Sequence, residues 1–118
     1  MSIDKHQELK ERTKAFAIRV FRTSQTLPTT REANVIMQQL LRSSTSVASN
    51  YRAAGRARSK TEFISKLGVV VEEAEETVFW LEFLADTGIV SATKLRELLN
   101  EANQLLLIFS ASRSTAKT

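Results

Sequence analysis

The sequence predicts an all-α protein, an antiparallel up-down-up-down four-helix bundle, and three observations carry that expectation. Apolar residues recur at alternating spacings of four and three along four successive segments, which places one stripe on each of four helices. Cap-forming residues open each segment, and Pro or Gly closes three of them. With 3 Gly and 1 Pro in 118 residues, the chain is also poor in the residues that punctuate sheets and long loops.

The first helix is expected over about 4–27. Asp4 is placed to cap it, Leu9, Thr13, Phe16, Val20, Thr23 and Leu27 form its stripe, Ile18 and Phe21 widen that stripe, and Pro28 ends it. The second, about 30–54, opens on Thr29-x-x-Glu32, the spacing of a capping box, and carries Ile36, Leu40, Ser43, Val47, Tyr51 and Ala54. Gly55 is positioned to be the left-handed residue after its last turn. Ser43, Ser44, Ser46, Ala48 and Ser49 give this helix a small-residue side that lets a neighbour approach closely.

The third helix, about 60–87, has a second capping box, Ser59-x-x-Glu62, leading at once into Phe63, Leu67, Val70, Ala74, Thr77, Leu81 and Leu84. Gly88 stops it. The fourth, about 92–110, begins at Ser91 and runs through Leu95, Leu98, Ala102, Leu105 and Phe109, with Leu99 and Leu106 alongside. Its pattern fades at Ser110, so residues 111–118 are expected to fray. Helices of this length joined by short connections pair antiparallel, and 118 residues suffice for one core and one domain, 1–118.

Composition narrows the chemistry. The absence of Cys removes disulfides, thiolate metal ligation and a Cys nucleophile. The polar N-terminus has no signal-peptide core, and no apolar run reaches the roughly 20 residues of a membrane span, so a cytoplasmic protein without membrane contact is expected. Net charge is +4, but residues 1–60 carry +8 and residues 61–118 carry −4. Such a split suits either a polyanion-facing side or two unlike faces that attract each other between subunits.

The late part of the third helix, Val78 to Leu84, is apolar nearly all round, more than one buried stripe requires. Either this helix lies centrally and is covered by its neighbours, or Phe79, Trp80 and Phe83 form a subunit interface, where such aromatics are common anchors. The interface is the preferred reading, and a homo-oligomer follows from it.

No catalytic constellation is visible, and the protein is read as a non-enzyme. His6 is the only histidine and is expected to face solvent, which rules out a His-rich metal site or a Ser-His-Asp arrangement built on several candidates. Glu72 and Glu76 stand four apart and could share a hard cation, but carboxylates so spaced more often line a solvated face; no metal or other cofactor is expected. Arg52, Arg56, Arg58 and Lys60 fall within nine residues at the corner between the second and third helices, with no acid before Glu62. Arg forks beside the free N–H groups of a helix start suit phosphate, and Arg42 could extend the surface; the alternative is ordinary surface charge, partly paired with Glu62 or Glu76. Without a Gly-rich phosphate loop or a base-reading motif, nucleic acid would be held by backbone and shape.

The stretch Gln39-Leu40-Leu41-Arg42-Ser43-Ser44, then Ser46-Val47-x-x-Asn50, then Arg58-Ser59-x-x-Glu62-Phe63 and on to Glu76, resembles the four helix bundle protein family, also called the 23S rRNA-intervening-sequence proteins. Asn50, Ser59, Glu62 and Glu76, with Arg58, match that family's motif; Asn50 could be a buried polar contact that fixes helix register. The chain departs at Ala53-Ala54-Gly55, where the family has A-E-G, and so lacks that carboxylate. The resemblance implies a bundle that assembles as a ring-like pentamer with a basic surface. Some members of that family are encoded in intervening sequences of bacterial ribosomal RNA genes, and a similar bundle serves diversity-generating retroelements as an accessory protein that contacts reverse transcriptase, a nucleic-acid enzyme, and nucleic acid. The expected function is thus a homo-oligomeric bundle that associates with RNA, the alternative being a protein-protein adaptor, and no small-molecule substrate is expected.

Overall fold

The computed structural model describes residues 3–118, with side chains from residue 5 onward. It contains four helices, α1 (Ile3–Ser24), α2 (Arg31–Ala54), α3 (Lys60–Asp86) and α4 (Ala92–Lys117), and no strand among the described residues. At 1.5 Å per residue each helix is about 33–40 Å long, which accounts for a molecule measuring 45 × 22 × 21 Å. The links 25–30, 55–59 and 87–91 span at most about 20 Å when extended. None can carry the chain back to the far end of the preceding helix, so each helix runs opposite to the one before. Ser43 therefore meets Thr77 across α2 and α3, and Ile64 meets Arg113 across α3 and α4.

Every stripe residue of α2 named from the sequence is buried, as are the α3 stripe from Leu67 and the whole α4 stripe. With Leu9, Phe16 and Val20 of α1 the apolar members of these stripes form one cluster drawn from all four helices. The α2–α3 and α3–α4 pairings are the most extensive, α1 sits less closely on α2, and α1 and α4 touch least. At the α2–α3 seam the buried hydroxyls of Ser43 and Thr77 share a 2.9 Å hydrogen bond, so the small face of α2 admits its neighbour without leaving a polar group unpaired.

Several local expectations are corrected. The α1 cap proposed at Asp4 lies outside the described side chains. The helix ends at Ser24 rather than 27, because Gln25 N–H and Thr26 N–H turn back to the carbonyls of Arg22 and Thr23 in a tighter turn before Pro28. Ile18 and Phe21 do not widen the buried stripe; they are 40% and 51% exposed. The α2 cap is Thr30, whose hydroxyl accepts from Ala33 N–H at 3.1 Å, so the Thr29/Glu32 box does not form. Either threonine could cap, and seating Ala33 and Ile36 in the core favours the later one.

Gly55 is right-handed, at φ −65°, because Arg56 and Ala57 N–H groups continue in tight turns onto Ala53 and Ala54. Its lack of a side chain serves space instead: a Cβ there would lie 2.1 Å from His6 Nε2. Gly88, by contrast, is left-handed at φ 74° and closes α3 as expected. Ser59 caps α3 through Glu62 N–H at 3.0 Å, while the Glu62 carboxylate reaches past the cap to Arg58 N–H at 3.4 Å. Ser91 caps α4 through Lys94 N–H. The tail does not fray at 110: α4 continues to Lys117, held where Arg113 Nε donates to Ile64 O at 3.3 Å with its guanidinium packed over Gly68.

Candidate nucleic-acid interface

The α2–α3 link sets the geometry of the basic corner. Arg52 leaves the last turn of α2, Arg56 and Arg58 sit in the link, and Lys60 opens α3; all four are exposed. Among the described residues Arg58 has one acidic neighbour, Glu62, at 3.7 Å, yet its side chain remains 90% exposed, so the pair neutralises little of the cluster in water.

Arg42 does not join them. It turns across to α3 and pairs with Glu73 at 3.0 Å and with Glu76. Glu76 also accepts from Trp80 Nε1 at 3.0 Å. That indole N–H first, and Arg42 second, hold the Glu76 carboxyl below the usual carboxylate range, while the bond to Glu76 keeps the Arg42 guanidinium above its ordinary value. Two acids of the run 72–76 are thereby committed to an arginine, and no group of three His, Asp or Glu side chains among the described residues is arranged to hold a metal ion. The Asn50 amide donates to Ser46 O at 2.9 Å and lies 3.1 Å from Ser46 Oγ, both within α2.

The aromatic residues of α3 are a surface feature. Phe79 and Phe83 are 51% and 38% exposed, and with half-buried Trp80 they form one cluster with ring centroids 4.9–5.9 Å apart. Glu72, Glu75, Glu82 and Asp86 are exposed on the same helix.

Sequence reasoning missed two features. The first is a trough of about 450 Å³ along the outer seam of α1 and α2, floored by Ala17 and Ala48, walled by Ile18, Phe21 and Leu41, and rimmed by Lys10, Lys14 and Arg52. Its signal was present: Ile18 and Phe21 stand three apart, off the core stripe, with Lys14 one turn before Ile18. The second is His6, which is half-buried rather than fully solvent-facing. Its Nδ1 lies 3.1 Å from the Tyr51 hydroxyl and its ring packs on Tyr51, which in turn packs on Phe109. Burial pushes the Tyr51 phenol up to about 12. At mid-bundle Arg12 bridges to α4, pairing with both oxygens of Glu101 at 2.7 and 2.8 Å and with Gln104.

These features define a four-helix bundle with an exposed basic corner and an acidic, aromatic helix face. The sequence matches the family described as 23S rRNA-intervening sequence protein over residues 5–111, and the chain belongs to that family. It is also similar to a crystal structure of a protein of unknown function from the S23 ribosomal protein family of Bacteroides thetaiotaomicron VPI-5482. That similarity has 31% identity and a TM-score of 0.84, and covers 97% of this chain and 99% of the other. No protein of curated function matches the sequence. No helix among the described residues is long and apolar enough to cross a membrane.

Proposed function

We propose that this protein is a non-enzymatic, cytoplasmic, homo-oligomeric bundle that associates with RNA through its basic surface. The observation that supports this is the corner of Arg52, Arg56, Arg58 and Lys60, four exposed cations with Glu62 as the paired carboxylate. Membership of a family tied by its description to a ribosomal-RNA element points the same way. With no base-reading motif, the contacts are to phosphate, and each releases counterions. Arg42 is left out of this surface because its charge is engaged by Glu73 and Glu76.

The test is binding of nuclease-treated protein to a structured bacterial RNA over a salt series. Wild type should weaken steeply as salt rises, with a log–log slope of about −0.7 to −0.9 per phosphate contacted. Arg56→Glu/Arg58→Glu, with helicity retained, should lose most of the affinity at low salt and flatten the slope. Absence of wild-type binding even at low salt removes RNA from the reading. A second reading, an adaptor without nucleic-acid contact, is favoured by the exposed Phe79 and Phe83. It calls for a partner whose binding depends on those rings and is little affected by salt.

A further inference from the structure

The outer seam of α1 and α2 does not close. Ala17 faces Thr45, Ala48 and Ser49, so no large side chain fills it, and Ile18 and Phe21 stand over the gap with 40% and 51% of their surface in water. Among the described residues, the lining includes three cations and no carboxylate. An apolar trough with a wholly cationic rim calls for an occupant that is apolar along its middle and acidic along its edges.

The same chain carries a surface of that description. Glu72, Glu75, Phe79, Glu82, Phe83 and Asp86 recur at helical spacing along α3 and are all exposed, and residues 67–86 contain no Lys or Arg to neutralise them. Among the described residues, the trough is lined by α1 and α2.

We propose that the trough of one copy receives the Phe79/Phe83 face of α3 from a second copy. The two rings displace water from the floor at Ala17 and Ala48 and pack against Ile18, Phe21 and Leu41, while Lys10 and Lys14 meet the carboxylates of Glu75 and Glu82 and Arg52 stays with the basic corner. Because the two surfaces differ, the contact is head-to-tail: every copy offers one face and one trough, and the contacts close into a ring or continue as a filament. An RNA strand is a poorer occupant, since phosphate satisfies the rim but leaves the apolar walls wet. This proposal rests on the homo-oligomer part of the reading above and names its contact surfaces.

Mass measurement by light scattering and sedimentation at micromolar concentration decides it. Wild type is expected to assemble, whereas Phe79→Ser/Phe83→Ser and Ile18→Ser/Phe21→Ser are each expected to be monomeric with unchanged helicity, since all four side chains are already exposed. Mixed one to one, the two variants should form a dimer and nothing larger, because one intact face meets one intact trough. As a second pair, Lys14→Glu should weaken assembly at least 10-fold and Lys14→Glu/Glu82→Lys should recover most of it. A monomeric wild type overturns both this proposal and the oligomer reading. An assembled wild type whose mass neither serine variant changes overturns the proposed surfaces alone, as does a mixture that stays monomeric.

Discussion

Glu76 shows what a single motif residue does in this fold. Its carboxylate takes the Trp80 indole N–H at 3.0 Å and the Arg42 guanidinium together, so one side chain on α3 fixes both an arginine of α2 and the inner edge of the aromatic cluster. Its depressed pKa, due first to Trp80 and then to Arg42, means that the stabilisation is present above the ordinary glutamate value of 4.5 and is lost as pH falls through the lower folded value. The protein has one Trp, so its emission should titrate with a midpoint below 4.5, and Glu76→Gln should abolish that titration. Tyr51 gives the alkaline counterpart. A phenol raised from 10.0 to about 12 stabilises the fold below pH 10 and loses that contribution as pH climbs towards 12. As the one Tyr in the chain, its ultraviolet ionisation should lag until near pH 12 and coincide with alkaline unfolding, and Tyr51→Phe should reduce the loss of stability across that interval. Gly55 is a third case. Its right-handed backbone tolerates alanine, but a Cβ would displace His6, so Gly55→Ala should stabilise by about 0.5–1 kcal/mol in a His6→Ala background and gain less or nothing alone, read by thermal melting.

At the scale of elements, the buried stripes were legible because apolar periodicity reports burial directly: Ile36 to Ala54, Leu67 to Leu84 and Leu95 to Phe109 are buried as spaced. Helix ends were legible only where one residue alone could serve. Ser59, Gly88 and Ser91 have no competitor, whereas Thr29 and Thr30 do, and packing chose between them. The end of α4 was hidden because polar contacts across helices leave no periodic trace: Arg113 binds a carbonyl 49 residues away. Arg113→Ala should therefore speed amide exchange in the last two turns of α4 while the melting temperature barely moves. Ser59→Ala, which removes the α3 cap, should cost about 1 kcal/mol in denaturant unfolding.

At the scale of the whole molecule, the site was half legible. A run such as Arg52 to Lys60 is contiguous in sequence, so its clustering could be read off, and so could the surplus of Phe79, Trp80 and Phe83. The trough could not be read, because its rim joins Lys10 and Lys14 of one helix to Arg52 of another, and Arg42 could not be known to turn towards α3. The looseness that makes the trough also orders the bundle kinetically. Since α1 touches α4 least and leaves its seam with α2 open, it is the helix whose detachment sacrifices the least buried surface. Its amide hydrogens should exchange through a partial opening of lower free energy than global unfolding, while those of α3, packed between two extensive neighbours, should wait for the whole fold to come apart. Anything that fills the trough ties α1 to the rest, so slowed exchange confined to α1 would report an arriving neighbour before any change of shape could.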